Sequence, residues 1–458
     1  MLKSIVLLNG TPRILDNPAL KKAIIESADV IPLFATRNIQ NEINVNRNKW
    51  DSASLKSLNS TLDKKGFQLL VRSGDISQIV IKESREYKVK DVYWTKTLDE
   101  TWNTKFRSLM KSENLNSIMS EDYDEKFIPS TNNVFKTFSS FWKQFQLIEE
   151  TFQIDLDQGN NLLEGIACNS LDLDNIKNAS GEWIPGEIGA LNKLSKFIKG
   201  NSHFYINSKN RIDLNITSML SPHINRGEIS FARAFFSMKG DSAFIKSQWN
   251  YEVCRQLAWR IFTKYIHKLH PRLDKISIDQ RFEEIAWNTN MLDLQSWKYG
   301  LTGFPIVDAG MRELITTGWI SNRVRLVTAS FLVKHLLFHW SFGAKWFLDH
   351  LLDADISANY FNWQWVTGCG IESSPYFRIF NPIIQGKKFD PDGIYVKKWI
   401  PELAALPAEY IHNPWEAPKR LLDENSVILG KTYPYPIIEH KNGRERALYE
   451  YSKHLKKK

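Results

Sequence analysis

Short apolar runs and longer amphipathic segments alternate over the first 120 residues. Residues 5–8, 30–34, 68–72, 92–94 and 116–119 have the length and the β-branched or aromatic character of strands, and each intervening segment is long enough for a helix. Such alternation predicts right-handed crossovers and an open parallel sheet with helices on both faces, an α/β domain over residues 1–125. No GxGxxG follows the first run, so the usual dinucleotide fingerprint is absent. From 126 to 195 the pattern weakens into polar and proline-bearing stretches such as Ile128-Pro129-Ser130 and Trp183-Ile184-Pro185-Gly186. Phe135, Phe138, Phe141 and Trp142 would be exposed on a free linker, so a connector packed on the surface is expected. From 196 to 458 apolar residues recur at three- and four-residue spacing, as in 248–267, 307–317, 322–339 and 344–352, which predicts an all-α second domain. No internal repeat is visible, and Lys456-Lys457-Lys458 reads as a solvated tail.

Composition narrows the chemistry. Hydrophobic residues make up 43% and charged residues 24% of 458, which excludes a disordered or collagen-like chain. The net charge of +9 fits either a solubilising surface or a face for a polyanion. Cys168, Cys254 and Cys369 lie far apart with no CxxC pair, so neither a zinc site nor a disulfide framework is expected and a reducing cytoplasm fits. The N-terminal apolar run breaks at Asn9-Gly10, too early for a signal sequence. The most apolar long stretch, 326–352, is interrupted by Lys334, His335, Lys345 and Asp349, so no segment should span a bilayer. Ten of the 16 tryptophans fall between 249 and 399. A single Trp in a helical domain is more often core than cofactor site, but stacked indoles also hold flat ligands and flipped bases.

In order along the chain stand Arg13-Ile14-Leu15-Asp16-Asn17-Pro18-Ala19-Leu20, Phe138-Ser139-Ser140-Phe141-Trp142-Lys143, Gly303-Phe304-Pro305-Ile306-Val307-Asp308-Ala309-Gly310-Met311-Arg312, Thr317-Gly318-Trp319 with Asn322-Arg323, Ala329-Ser330-Phe331-Leu332-Val333-Lys334, the 353–365 stretch and Pro375-Tyr376-Phe377-Arg378-Ile379-Phe380-Asn381-Pro382. Together they resemble the DNA photolyase and cryptochrome flavoproteins over nearly the whole chain, closest in motifs to the cyclobutane pyrimidine dimer photolyases. The resemblance implies a Rossmann-like α/β domain followed by an all-α domain that buries a U-shaped FAD. Tyr205 and Thr217-Ser218-Met219-Leu220-Ser221 match its phosphate-side segment, where hydroxyls and backbone N–H groups hold the pyrophosphate; a plain helix N-cap is the other reading of the Thr-Ser pair. Arg260, Arg325, Asp353 and Asp355 match flavin-facing and ribose-facing positions, and Asn359 the residue opposite flavin N5. A neutral Asn there favours the fully reduced anionic flavin used in repair. Trp363, Trp340 and Trp287, from the flavin outward, match the electron-relay tryptophans. Trp259 and Trp365, with Asn322, Arg323 and Leu326, match the pocket for a damaged pyrimidine pair flipped out of DNA. Many members carry a folate or deazaflavin antenna, but residues 97–105 do not repeat the folate pattern, which leaves that second chromophore open.

Three departures leave the subfamily open. Gln256 replaces the lesion-binding Glu of dimer photolyases and offers a neutral amide instead of a carboxylate. Met219 replaces a residue that is basic in many members, and Leu326 replaces a Met near the lesion. A repair enzyme acting on UV-damaged DNA, monomeric, cytoplasmic and gathered at damage on the nucleoid, is the leading expectation, favoured by Asn359, by Asn322-Arg323 and by the lack of a signalling tail after Lys458. A cryptochrome-like photoreceptor, or a photolyase for another lesion such as the (6-4) photoproduct, is the alternative.

Overall fold

A computed structural model describes residues 3–36, 44–129, 134–151, 183–201, 204–214, 216–240 and 248–455. Cys168, most of the middle of the connector and the terminal lysines lie outside the described residues. Along the chain, β1 (Lys3–Leu7), α1 (Pro18–Glu26), β2 (Asp29–Thr36), α2 (Val45–Asp63), β3 (Leu70–Ser73), α3 (Ile76–Glu86), β4 (Asp91–Thr95), α4 (Glu100–Ser112) and β5 (Asn116–Ser120) alternate as expected. Asn17, Asn44, Asp75 and Asp99 start α1 to α4 by accepting the backbone N–H three residues on. All strand pairs are parallel and the order is β3-β2-β1-β4-β5.

Each sheet face is buried, which is why these strands read as almost continuous apolar runs. Ile5, Leu7, Ile31, Leu33, Val92 and Trp94 pack with Val80 of α3 and Phe106 of α4. Val6, Val30, Val71 and Tyr93 pack with Leu20 of α1 and Leu55 and Leu58 of α2. The opening motif has an architectural role. Buried Arg13 pairs with Asp16 (2.7 Å) and Asp122 (2.6 Å) and donates to the Gly227 carbonyl, while Ser230 donates to Asp16.

Helices follow the sheet: α5 (Tyr123–Lys126), α6 (Phe138–Thr151), α7 (Glu187–Lys196), α8 (Tyr205–Ser208), α9 (Ser221–Asn225), α10 (Phe231–Lys239), α11 (Gln248–Leu269), α12 (Met291–Lys298), α13 (Pro305–Thr317), α14 (Asn322–Ser330), α15 (Trp340–His350) and α16 (Ile356–Thr367), with shorter ones to residue 455. The aromatic run of α6 is buried at Phe138, Phe141 and Trp142. The chain divides into two compact units: Met1–Pro129, Lys143–Ser202 and Ser218–Ile261 form the first, and Ser130–Trp142, His203–Thr217 and Phe262–Lys458 the second.

In the second unit, the motif at 303–312 builds the core. Asp308 is fully buried and accepts from the Thr302 N–H and hydroxyl, the Gly303 N–H and the Tyr433 hydroxyl. Gly310 leaves space for Val324 of α14, whose methyl would lie 2.4 Å from an added Cβ.

One expected helix is corrected. Residues 322–339 are not continuous: α14 ends at Ser330, a wider π-helical turn covers Phe331–His335, and Leu337 takes φ +58 before His339 caps α15. In the widened turn, fully buried Lys334 donates to the Thr367 and Tyr376 carbonyls, and burial holds its ammonium well below its ordinary pKa. The periodicity of the apolar residues runs on through this break, so the sequence gives no sign of it.

The two buried cysteines among the described residues, Cys254 and Cys369, are free thiols. Among the described residues no helix is long and apolar enough to cross a membrane, and no cluster of His, Cys, Asp and Glu could hold a metal ion.

Candidate functional site

The turn after α15 and the start of α16 carry the residues expected to face the flavin. Arg325, on α14, reaches Asp353 through one terminal nitrogen at 3.0 and 2.9 Å and donates from Nε to the Ile320 carbonyl. Asp353 is buried, so the guanidinium offsets a charge that would otherwise be costly there. Asp355 is the N-cap of α16, accepting the Ala358 N–H at 2.9 Å. One turn on, buried Asn359 donates its amide N–H to the Ala344 carbonyl of α15 at 2.8 Å, which fixes the orientation of the side chain. Arg325, Asp353, Asp355 and Asn359 are thus brought together in one unit. A buried ion pair, a carboxylate and a fixed amide beside an aromatic wall suit a flat, apolar ring system with a polar edge.

That wall contains the three relay candidates. Trp363 is 2% exposed and meets Phe347 edge-on at 5.0 Å and Trp297 at 6.2 Å. Its indole fills the space left by Gly343 on α15, where an added Cβ would lie 2.1 Å from the ring. Trp340, at 0% exposure, opens α15 one turn before Gly343, meets Tyr360 of α16 at 6.1 Å and donates to the Ser277 hydroxyl at 2.9 Å. Trp287 is half-buried and donates to the Phe282 carbonyl. The His339 ring touches both Trp340 (5.1 Å) and Trp287 (5.5 Å). Burial falls from Trp363 and Trp340 to Trp287, as a path from interior to surface requires.

Asn322 and Arg323 open α14, with Ser321 as N-cap. Asn322 is exposed, whereas Arg323 is half-buried, stacks over Phe389 at 4.4 Å and donates to Asn210. Burial, helped by nearby Arg378, lowers the Arg323 pKa. Leu326 of α14 and Trp365 of α16 are half-buried against the same core. Tyr205 and Thr217 also belong to this unit, with Lys209 over the Tyr205 ring.

The remaining site candidates belong to the first unit. Gln256, Trp259 and Arg260 share one face of α11 by their spacing, opposite the buried Cys254, Ala258 and Ile261. Gln256 is exposed, while Trp259 and Arg260 are half-buried. Arg260 reaches Asn225, the last residue of α9, at 3.5 Å. Ahead of α9, Met219 holds φ +50, and the N-cap position is Leu220, with no side chain capping the helix. The helix start itself thus falls at Leu220, two and three residues beyond Ser218 and Thr217. Around 97–105, Asn103 is bonded to Thr97 through both backbone and side chain, so those polar groups already satisfy one another.

Four residues that line this arrangement carry no sequence signal of their own. Gly343, His339, Ser277 and Glu283 matter through what the fold places beside them: Gly343 leaves room for Trp363, His339 touches Trp340 and Trp287, Ser277 accepts from Trp340 63 residues on, and Glu283 accepts from the Ser277 N–H.

Comparison with known proteins agrees with this geometry. Residues 253–453 match the family model of the FAD binding domain of DNA photolyase, and residues 4–154 that of DNA photolyase. The deoxyribodipyrimidine photo-lyase of Agrobacterium fabrum is 36% identical over 457 residues, spanning 96% of this chain and 95% of its own. Cryptochrome-1 of Arabidopsis thaliana is 29% identical over 464 residues, spanning 95% of this chain and 68% of its own. The crystal structure of a bacterial class III photolyase from Agrobacterium tumefaciens superposes with a TM-score of 0.89 at 34% identity, covering 100% of this chain and 98% of that one.

Proposed function

The chain belongs to the DNA photolyase and cryptochrome family and takes FAD as its cofactor, and from that premise we propose that it is a light-driven deoxyribodipyrimidine photo-lyase that splits cyclobutane pyrimidine dimers. When bound, reduced FAD supplies the photoexcited electron that enters the dimer and returns after the ring opens. The protein supplies position, polarity and a route for electrons. Arg325, Asp353 and Asp355 hold and orient the cofactor, and Tyr205, Arg260 and the 217–221 segment take its phosphate side. Asn359 presents a neutral amide that cannot deliver a proton, a choice suited to repair. Trp287, Trp340 and Trp363 pass single electrons inward to restore the reduced state.

The lesion is met by Trp259 and Trp365 as stacking surfaces, by Gln256 and Asn322 as hydrogen-bonding groups, by Arg323 toward phosphate and by Leu326 as apolar lining. The neutral Asn359, fixed by its bond to Ala344, is the observation that carries this reading. The reading keeps an α/β domain over 1–125, a connector over 126–195 and a helical domain over 196–458, in a cytoplasmic monomer acting on damaged DNA. Gln256, Met219 and Leu326 favour the second reading, a cryptochrome-like receptor or a photolyase for another lesion.

Illumination of an oligonucleotide with a single cyclobutane dimer decides between them. Repair in blue light and none in the dark supports the proposal. Repair of a (6-4) photoproduct alone moves the assignment to that lesion, and repair of neither moves it to the receptor.

A further inference from the structure

Among the described residues, the Trp340 indole touches two other rings: His339 at 5.1 Å and Tyr360 at 6.1 Å, the latter edge-on at 80°. Imidazole is much harder to oxidise than indole or phenol, so Tyr360 is the oxidisable ring in contact with Trp340. Trp287 meets His339 instead, at 5.5 Å. Tyr360 lies on α16, one residue after Asn359 and three before Trp363, so the fixed amide, the inner indole and this phenol share one helix.

Tyr360 and Trp340 differ in their access to water. Trp340 is fully buried, and its N–H is held by the Ser277 hydroxyl, which is a poor base. An oxidised Trp340 therefore keeps its proton and remains a strong oxidant. Tyr360 is half-buried, and its hydroxyl makes no hydrogen bond to a described residue and is not enclosed, so it faces water. Burial, and then the charges of Asp274 and Asp349, raise the pKa of the phenol, so it is protonated at rest. A phenol yields an electron readily only when its proton can leave with it, and solvent takes that proton here.

We infer that Tyr360 is a second terminal electron donor of the relay, parallel to Trp287. The inference rests on the relay reading of the three tryptophans. An electron passes from Trp363 to photoexcited oxidised flavin, the ultimate oxidant, and another from Trp340 to Trp363. The electron that refills Trp340 comes from the Tyr360 ring, while the phenol O–H bond breaks heterolytically and its proton goes to water. Trp340 returns to its neutral resting form, and a neutral phenoxyl radical is left at Tyr360. A thiol in solution later supplies one electron, and water returns the proton. Because the proton has gone to bulk solvent, refilling Tyr360 needs a proton as well as an electron, and the separated charge outlasts one held on a protonated indole.

The test uses the FAD-loaded, oxidised protein in blue light, as the unaltered chain, Trp287→Phe, Tyr360→Phe and the double variant. Phe keeps the ring that packs on Trp340 but has no hydroxyl proton to release, so a packing role alone survives the substitution. Trp287→Phe should still photoreduce with thiol present. Electron paramagnetic resonance of samples frozen under light should show in it a phenoxyl radical whose spectrum narrows when the tyrosines are deuterated. Adding Tyr360→Phe should abolish that signal and cut photoreduction by about tenfold or more below Trp287→Phe, a non-additive loss expected of two donors that serve one acceptor. Transient absorption should show the indole radical of Trp287→Phe decaying as the phenoxyl radical grows, more slowly in deuterated water. An indole radical alone in Trp287→Phe, or a phenoxyl radical that persists in the double variant, overturns Tyr360 as the donor while leaving the relay intact. No radical on any indole or phenol of the unaltered chain overturns the relay and the donor with it.

Discussion

Gly343→Ala tests where the inner tryptophan sits. An added Cβ would lie 2.1, 2.5 and 2.6 Å from three atoms of the Trp363 six-membered ring. Ordinary carbon contacts are about 3.5 Å, so the indole or the helix must move by about 1.4 Å. Trp363 cannot yield easily, because Phe347 and Trp297 hold it from other sides. Overpacking of a tight core costs about 1–3 kcal/mol, and an Ala inside α15 recovers up to about 1 kcal/mol of helix propensity over Gly. The steric term wins, and the net loss is about 1–2 kcal/mol, or roughly 2–8 °C in Tm for a unit of this size. Thermal unfolding of a four-protein cycle isolates the cause. With Trp363→Phe in place the ring atoms that clash are gone, so Gly343→Ala becomes neutral or stabilising, and the coupling is about 1–3 kcal/mol. The same single variant should slow photoreduction, since the displaced indole is the first member of the proposed relay. Additive stability changes, or a Gly343→Ala protein as stable as the original with full photoreduction, would refute the placement of Trp363 against α15.

Trp363→Phe should retain FAD absorbance but lose most photoreduction under blue light with an external reductant; unchanged photoreduction would show that another route carries the electron. Gln256→Glu should raise the yield of dimer repair per absorbed photon, because a charge-assisted bond to the lesion is worth about 1–3 kcal/mol; a lowered yield would contradict the role given to Gln256. Duplex affinity should fall steeply with salt while preference for damaged DNA persists, and Trp365→Ala should remove that preference without changing the salt slope in binding titrations. Burial pushes Glu313 up to about 7 from an ordinary 4.5, against the bond it accepts from Tyr395. The folded chain then keeps a proton that the unfolded chain has lost between those values, so this group's stabilisation is complete below about pH 4.5 and is lost as pH rises through about 7. Glu313→Gln should match the original in urea midpoint near pH 5 and exceed it near pH 8; equal midpoints at both would count against this.

The α/β layer was legible because strand runs with two buried faces are apolar along their whole length, and the helices between them open on Asn or Asp. The break at 331–339 was not. Helical spacing of the apolar residues continues across it, and what ends α14 is the seat of Lys334 against two carbonyls from distant segments. Periodicity reports which face a residue would take on a helix, not whether a buried ammonium needs the turn to widen. The candidate site divides along the same line. Arg325, Asp353, Asp355 and Asn359 were legible as a motif and lie in one unit with Arg325 on Asp353, whereas Gly343 was silent because its function is the absence of a side chain where an indole lies.

Burial and charge place opposite demands on a relay tryptophan. A dry surround speeds electron transfer by leaving little solvent to reorganise, but a cation in a low-dielectric interior is costly unless something offsets it. Trp287, half-exposed, has water for that purpose. Trp340 is buried, and among the described residues its ring contacts are Tyr360 and a His339 whose pKa burial holds down. Placing a carboxylate directly against Trp340 would require burying it, at the desolvation cost that already drives Asp308 and Glu313 upward. Ser277 eases the conflict by offering the indole N–H a neutral hydroxyl as acceptor, so that the polar group is satisfied without burying a charge beside it.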